Sequence, residues 1–196
     1  MIITPPTAEN DPLVAQMYAE DLHDDGFVYS HTQVMALNPA ASLAFEALID
    51  TIVPSLGVHT YELVTLGAAR ALGSAHCMLS HGRKILRTDV LDEDALAAVA
   101  HGDDSGLAPA DAAVVRFAER LSTDASAMTD ADSASLRASG FTDRQIVDIA
   151  LAAGLRNFFS RTLQALAVPV DDVPGLSHTL VEALLTPTRR ARVSGG

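Results

Sequence analysis

A chain of 196 residues with 48% apolar residues and no Trp is long enough for one domain with a sizeable core, and its Ala and Leu point to helix rather than sheet. A formal charge of −12 argues against nucleic-acid or anionic-membrane binding, which needs clustered Lys and Arg. One cysteine excludes an intrachain disulfide framework and a four-thiolate zinc site.

Residues 1–11, with Pro5, Pro6, Asn10 and Asp11, read as an extended arm. Pro12 suits the first position of a helix running to about Leu22, where its missing N–H costs nothing. His23–Gly26 is a break, and a short helix is expected over Ser30–Leu37. Pro39 opens a longer helix with Leu43, Ala44, Ala47, Leu48 and Val53 at helical spacing; Pro54 and Gly57 are expected to end it. Thr60 is an N-cap candidate for the next helix, which carries Glu62 to about Leu72. Gly73 suits the C′ position, and Ser74 can cap a helix that carries Cys77 to about Arg87. Further helices are expected over Asp92–Ala100, Pro109–Leu121 and Thr129–Ala138. Thr142 caps the most apolar one, which continues through Phe159 toward Leu166. Pro169 and Pro174 break the chain. A last short helix is expected over Ser177–Leu185, with a frayed tail from Pro187.

The expected organisation is therefore an arm (1–11), one helical domain (12–170) and a C-terminal extension (171–196). No charged N-terminal segment precedes an apolar run, and no stretch reaches the roughly 18 uninterrupted apolar residues of a membrane span; the expected setting is cytoplasmic. There is no Gly-rich phosphate loop. An offset of 83 residues sets Glu62, Ser74, Cys77 and His81 against Gln145, Asn157, Ser160 and Gln164, a repeat no better than a chance match of two apolar helices.

The chemistry concentrates between Tyr61 and His81. Cys77 falls in the first turn of its helix, where free N–H groups and the dipole favour a thiolate. His81 follows at i+4 on the same face, His76 adjoins the cysteine, and Glu62 comes near if its helix packs alongside. Imidazole and carboxylate are the groups that move protons for a thiol nucleophile. The bland alternatives are a buried apolar cysteine, a half-exposed polar His81 and a Glu62 stabilised by its helix dipole. His76, Cys77, His81 and Glu62 could also ligate zinc, but their spacing is no familiar zinc pattern. His23, His31, His59, His101 and His178 are scattered and read as loop or surface residues.

Glu62, Ser74, Cys77 and His81 stand at the spacing of the AhpD-like alkylhydroperoxidase and carboxymuconolactone decarboxylase superfamily: Glu, eleven residues, Cys, two residues, Cys, three residues, His. His76 matches a histidine found between the two cysteines. Phe27 with Asn38-Pro39, and Phe141-Thr142-Asp143 followed by Asn157-Phe158-Phe159-Ser160-Arg161, resemble its peroxidase-related branch. Two departures stand out. Ser74 replaces the first cysteine, and Tyr61 stands where the family usually has arginine.

The resemblance implies an all-α, AhpD-like bundle of about eight helices that assembles as a homo-oligomer. It implies a peroxidase-related oxidoreductase with no cofactor and no metal, acting on hydrogen peroxide or an organic hydroperoxide. In that role Cys77 attacks peroxide oxygen and becomes a sulfenic acid, His81 and Glu62 relay protons, and His76 is a candidate partner. With Ser74 unable to resolve the sulfenic acid, an external thiol or protein must reduce it. Two alternatives stay open. One is a decarboxylase-like lyase on a small lactone acid, with Arg70, Arg83 and Lys84 as the nearest cations. The other is a non-catalytic module of the same fold.

Overall fold

Proline, capping side chains and left-handed glycines set where the helices begin and end. The computed structural model describes residues 3–9 and 11–194, with side chains described up to residue 187. Among them are nine α-helices and no strand: α1 (Pro12–Asp24), α2 (Ser30–Met35), α3 (Pro39–Leu72), α4 (Ala75–Arg87), α5 (Glu93–His101), α6 (Pro109–Asp124), α7 (Asp130–Ala138), α8 (Asp143–Ala165) and α9 (His178–Ser194). Asp11, Asn38, Asp92 and Thr142 cap α1, α3, α5 and α8 with side-chain oxygens on backbone N–H groups, satisfying donors that a helix start leaves free.

The centre is α3, which packs against α6, α8 and α4. Buried Leu63, Val64, Leu66 and Ala68 of α3 meet Val114 and Ala118 of α6 and Ile149 and Ala153 of α8 in one continuous core. Helix α9 lies against α4 and α5 and adds Leu180 and Leu184 to the same core. By length and composition α3 could cross a membrane, but its second half is the buried axis of this bundle and carries buried Glu62.

The expected break at Gly57 is present: its φ of 75° and ψ of 158° are non-helical, so the span called α3 is two helices meeting at a kink. Two other boundaries are corrected. The second half starts just after Gly57, so Thr60 lies inside it and caps nothing. The last helix does not end near Leu185 but continues through Pro187 to Ser194. The break after Leu72 is where expected. Gly73 is left-handed (φ 60°), a conformation that glycine adopts without strain, and it turns the chain so that α4 starts at Ala75. The 83-residue repeat does not carry over into structure. Residues 62–81 span two helices across that turn, whereas 145–164 lie within one.

Candidate functional site

Packing of α3 against α4 brings Glu62 and His81 together. His81 Nδ1 lies 2.7 Å from Glu62 Oε2, and Lys84 Nζ lies 3.3 Å from Glu62 Oε1. Glu62 is 0% exposed, and among the described residues its Oε1 meets only the Lys84 ammonium, as an ion pair. Burial alone would raise the Glu62 carboxyl; the His81 ring beside it, through its hydrogen bond, and the Lys84 ammonium outweigh burial and hold the group below its ordinary range. Burial also pushes the His81 imidazole down, more than Glu62 lifts it, with Arg156 and Lys84 adding to the depression. The pair therefore rests as a carboxylate and a neutral imidazole. An ionised carboxylate can only accept, so Nδ1–H donates to Glu62, and the lone pair of His81 Nε2 is left for acid–base work.

Cys77 is held differently. It is the third residue of α4 and 1% exposed, and its hydrogen-bond partners come from α8, not from α4. Ser160 Oγ lies 3.3 Å from Sγ, and Arg156 Nη1 donates to Sγ at 3.6 Å. Arg156 Nη2 donates to Tyr61 Oη at 3.3 Å, and the guanidinium lies over the Phe159 ring, 5.6 Å from its centroid. Arg156 is 4% exposed, its Nε is unpartnered, and among the described residues no carboxylate forms an ion pair with it. Burial works against its charge; Cys77 and Tyr61 outweigh burial, and the guanidinium stays protonated. A buried cation needs a counter-charge. Cys77 and Tyr61 are the groups in contact with it that can supply one.

A cavity of about 320 Å³ opens on this arrangement, walled by Tyr61, Glu62, His81, Lys84, Arg156 and the apolar Ile49 and Val53. Cys77 does not line it. Arg156 does, and the thiol lies directly behind that side chain. His31 lines this cavity and both of its neighbours. Its ring stacks on Tyr29 and meets the edge of Phe159. Burial first, then His76, His81 and Arg156, push its imidazole down to about 3, so it is neutral in ordinary buffers.

Of the residues singled out by sequence, Glu62, His81 and Tyr61 meet on the cavity wall, with Cys77 one side chain away. His76 departs from the expected role. A carbonyl oxygen can only accept, so His76 Nε2–H donates to Pro169, 2.9 Å away, tying α4 to the segment after α8. Ser74 sits at the N-cap of α4, but its hydroxyl caps nothing and is buried with no partner among the described residues. Among the cations considered for a lyase, Arg70 is spent on Glu119 and Arg83 on Asp25; only Lys84 reaches the cavity. Asn157 donates to Ser122 Oγ and the Ala153 carbonyl, both at 2.8 Å, a packing role.

Arg156, Ser160 and His31 escaped the sequence reading as site residues. Arg156 and Ser160 carried a usable sign, since they continue the buried stripe of Ile149, Ala152, Ala153 and Leu163 at helical spacing. A charge on a buried stripe needs an explanation. His31 lies in a six-residue helix and carried no such sign.

Residues 30–120 match the carboxymuconolactone decarboxylase family, a span that includes Glu62, Ser74, Cys77 and His81 but not Arg156. The fold is similar to that of an uncharacterized peroxidase-related protein with an alkylhydroperoxidase AhpD core from Ralstonia eutropha JMP134, at 21% identity and a TM-score of 0.76, covering 95% of each chain. An uncharacterized peroxidase-related protein from Silicibacter sp. TM1040 is similar at 22% identity and a TM-score of 0.70, over 89% of this chain and 98% of that one. The debrominase Bmp8 is similar at 17% identity and a TM-score of 0.75, over 94% and 98%. No curated protein matches the sequence.

Proposed function

We propose that this chain belongs to the AhpD-like carboxymuconolactone decarboxylase superfamily, which its residues 30–120 match and whose fold it shares, and that it is a thiol-dependent peroxidase-type oxidoreductase acting through Cys77. The observation that carries this reading is the buried guanidinium of Arg156, whose hydrogen-bond partners are the Cys77 thiol and the Tyr61 phenol. The thiolate is the nucleophilic form of cysteine, and this guanidinium stands in place to pair with the charge on sulfur once the proton has left. In the reaction the Cys77 sulfur attacks the outer oxygen of a hydroperoxide. An S–O bond forms, the O–O bond breaks, and the electron pair leaves on the alkoxide. The thiol proton passes to His81 Nε2 and returns to that alkoxide as the alcohol, while Glu62 steadies the transient imidazolium. Two external thiols then convert the sulfenic acid back to the thiol, releasing water and a disulfide, the task a cysteine at position 74 would have shared. The substrate is hydrogen peroxide or an organic hydroperoxide, and no cofactor enters these steps.

Peroxide consumption with a small thiol as reductant tests this, with Cys77→Ser as control. Turnover that disappears in the variant supports it; undiminished turnover in the variant overturns it. One further observation favours a second reading. The cavity wall offers Glu62, His81, Lys84 and Arg156 but not Cys77, an acid–base set suited to a lyase on a small lactone acid. Lyase turnover that survives Cys77→Ser separates the two.

The reading includes self-association. Val147, Leu151 and Phe158 of α8 and Leu48 of α3 are exposed, Phe158 by 54%, and apolar faces of this kind serve subunit contacts. Light scattering at micromolar concentration checks this; a monomer would contradict it.

A further inference from the structure

Beside the thiol site, between α1, α2 and the first half of α3, lies a second cavity of about 490 Å³, within the size range of small-molecule sites, roughly 300–1,000 Å³. Six carboxylates line it, with no Lys or Arg among its lining residues. One of the six is already neutralised: Asp25 pairs with Arg83 and Arg87; Asp24 meets only the exposed His23 ring. Glu20 accepts from the Gln16 amide and Asp21 from the Tyr29 N–H, so neither meets a cation. Among the described residues Glu46 and Asp50 have no hydrogen-bond or ion-pair partner.

A second feature points to a ligand independently of the charge. Ser42 also lines the cleft and is only 6% exposed, yet its hydroxyl has no hydrogen-bond partner among the described residues. A polar group this buried is normally satisfied.

From this geometry we propose that the cleft binds an organic ammonium ion with an apolar chain, such as a linear diamine, through Glu46, Asp50 and the Ser42 hydroxyl. Met17, Met35 and Leu43 supply apolar wall for the chain. Among the described residues no three His, Cys, Asp or Glu side chains converge closely enough to hold a metal ion. Ser42, Glu46 and Asp50 stand at i, i+4 and i+8 on α3, a row along one helix face, as an extended cation requires. Burial holds the Asp21 carboxyl above its ordinary range, and an ammonium ion in the cleft would offset that; Glu46 also feels Arg156 and Lys84 from the neighbouring cavity. His31 closes the end toward the thiol site and, being neutral, brings no competing positive charge. The site does not depend on Cys77 chemistry.

Isothermal titration calorimetry with 1,5-diaminopentane, at fixed ionic strength, tests the proposal. The expected result is one-to-one binding, with the dicarboxylate glutarate giving none. Glu46→Gln and Asp50→Asn each weaken it by about tenfold or more, and Ser42→Ala by about threefold. Asp130→Asn, on distant α7, and Cys77→Ser leave it unchanged. Glu46 and Asp50 are exposed helix positions, so their variants keep the fold, which circular dichroism verifies. No binding up to millimolar diamine overturns the proposal. So does equal weakening by Asp130→Asn, which would reduce the effect to general attraction by an acidic protein.

Discussion

Cys77 and His81 stand one helical turn apart on α4, yet their surroundings differ. The thiol is sealed from water, and among the described residues its only charged partner is a guanidinium reaching across from α8. The imidazole opens on a cavity and is paired with a carboxylate from α3. One side can hold negative charge on sulfur; the other can take up and return a proton. The difference teaches that i+4 spacing put two groups on one helix face without making them partners. Neighbouring helices supplied the partner of each.

The largest effect that tests this division is Cys77→Ser, which is expected to abolish peroxide turnover. If acid–base chemistry alone drove the reaction, activity would survive. Next come Glu62→Gln and His81→Asn. Losing a proton relay typically costs about 10²–10⁴-fold in rate. Glu62→Gln also leaves buried polar groups mispaired, at about 1–3 kcal/mol, so melts must accompany the rates. Near-full activity in both variants would make the wet side structural.

Arg156→Met sharpens the comparison from the dry side. Turnover is expected to fall by about 10²–10³-fold, the scale of one lost electrostatic contact in a site. Stability is expected to hold or rise, because replacing a buried charged group by a well-packed apolar one of similar volume is often neutral or stabilising. A large loss of stability with unchanged turnover would make Arg156 a structural anchor instead.

The smallest effect is a pH dependence at the junction of the cavities. The folded-state value of His31, about 3, lies below the ordinary 6.5. As pH falls below about 6.5 the unfolded chain takes the proton first, so stability is lost from there downward. At pH 5 the loss is about 1–2 kcal/mol, discounted because the ring edge reaches the cleft. His31→Phe keeps a ring in place and is expected to lose less stability between pH 7 and 5. Parallel denaturant melts of both proteins at those two pH values measure it; equal losses would contradict the assignment.

Much of this was legible in the sequence. Gly73 and the capping residues mark their helix ends by local backbone chemistry, and Glu62, Cys77 and His81 stand at a family spacing. Gly57 breaks α3 into two halves where expected; where local rules met tertiary packing they misled at Pro187, which is carried inside α9. His76 sat beside the thiol in sequence, but adjacent helical residues point about 100° apart, and it bonds to Pro169 instead. Arg156 is 79 residues from the thiol it touches. Its position on the buried stripe of α8 could have flagged it as a buried charge, but nothing local could name its partner. His31 belongs to a helix too short to show which face it buries.

The most direct test of the Cys77–Arg156 pairing is sulfenic-acid formation at Cys77. Wild-type and Arg156→Met proteins are exposed to peroxide, then quenched at intervals into denaturant containing a sulfenic-acid trap, so that burial cannot hide the product, and the adduct on Cys77 is counted by mass spectrometry. Rapid labelling of the wild type and labelling slower by about 10²-fold or more in the variant is the predicted result. Equal rates in the two proteins, or no adduct on folded wild type, would contradict it.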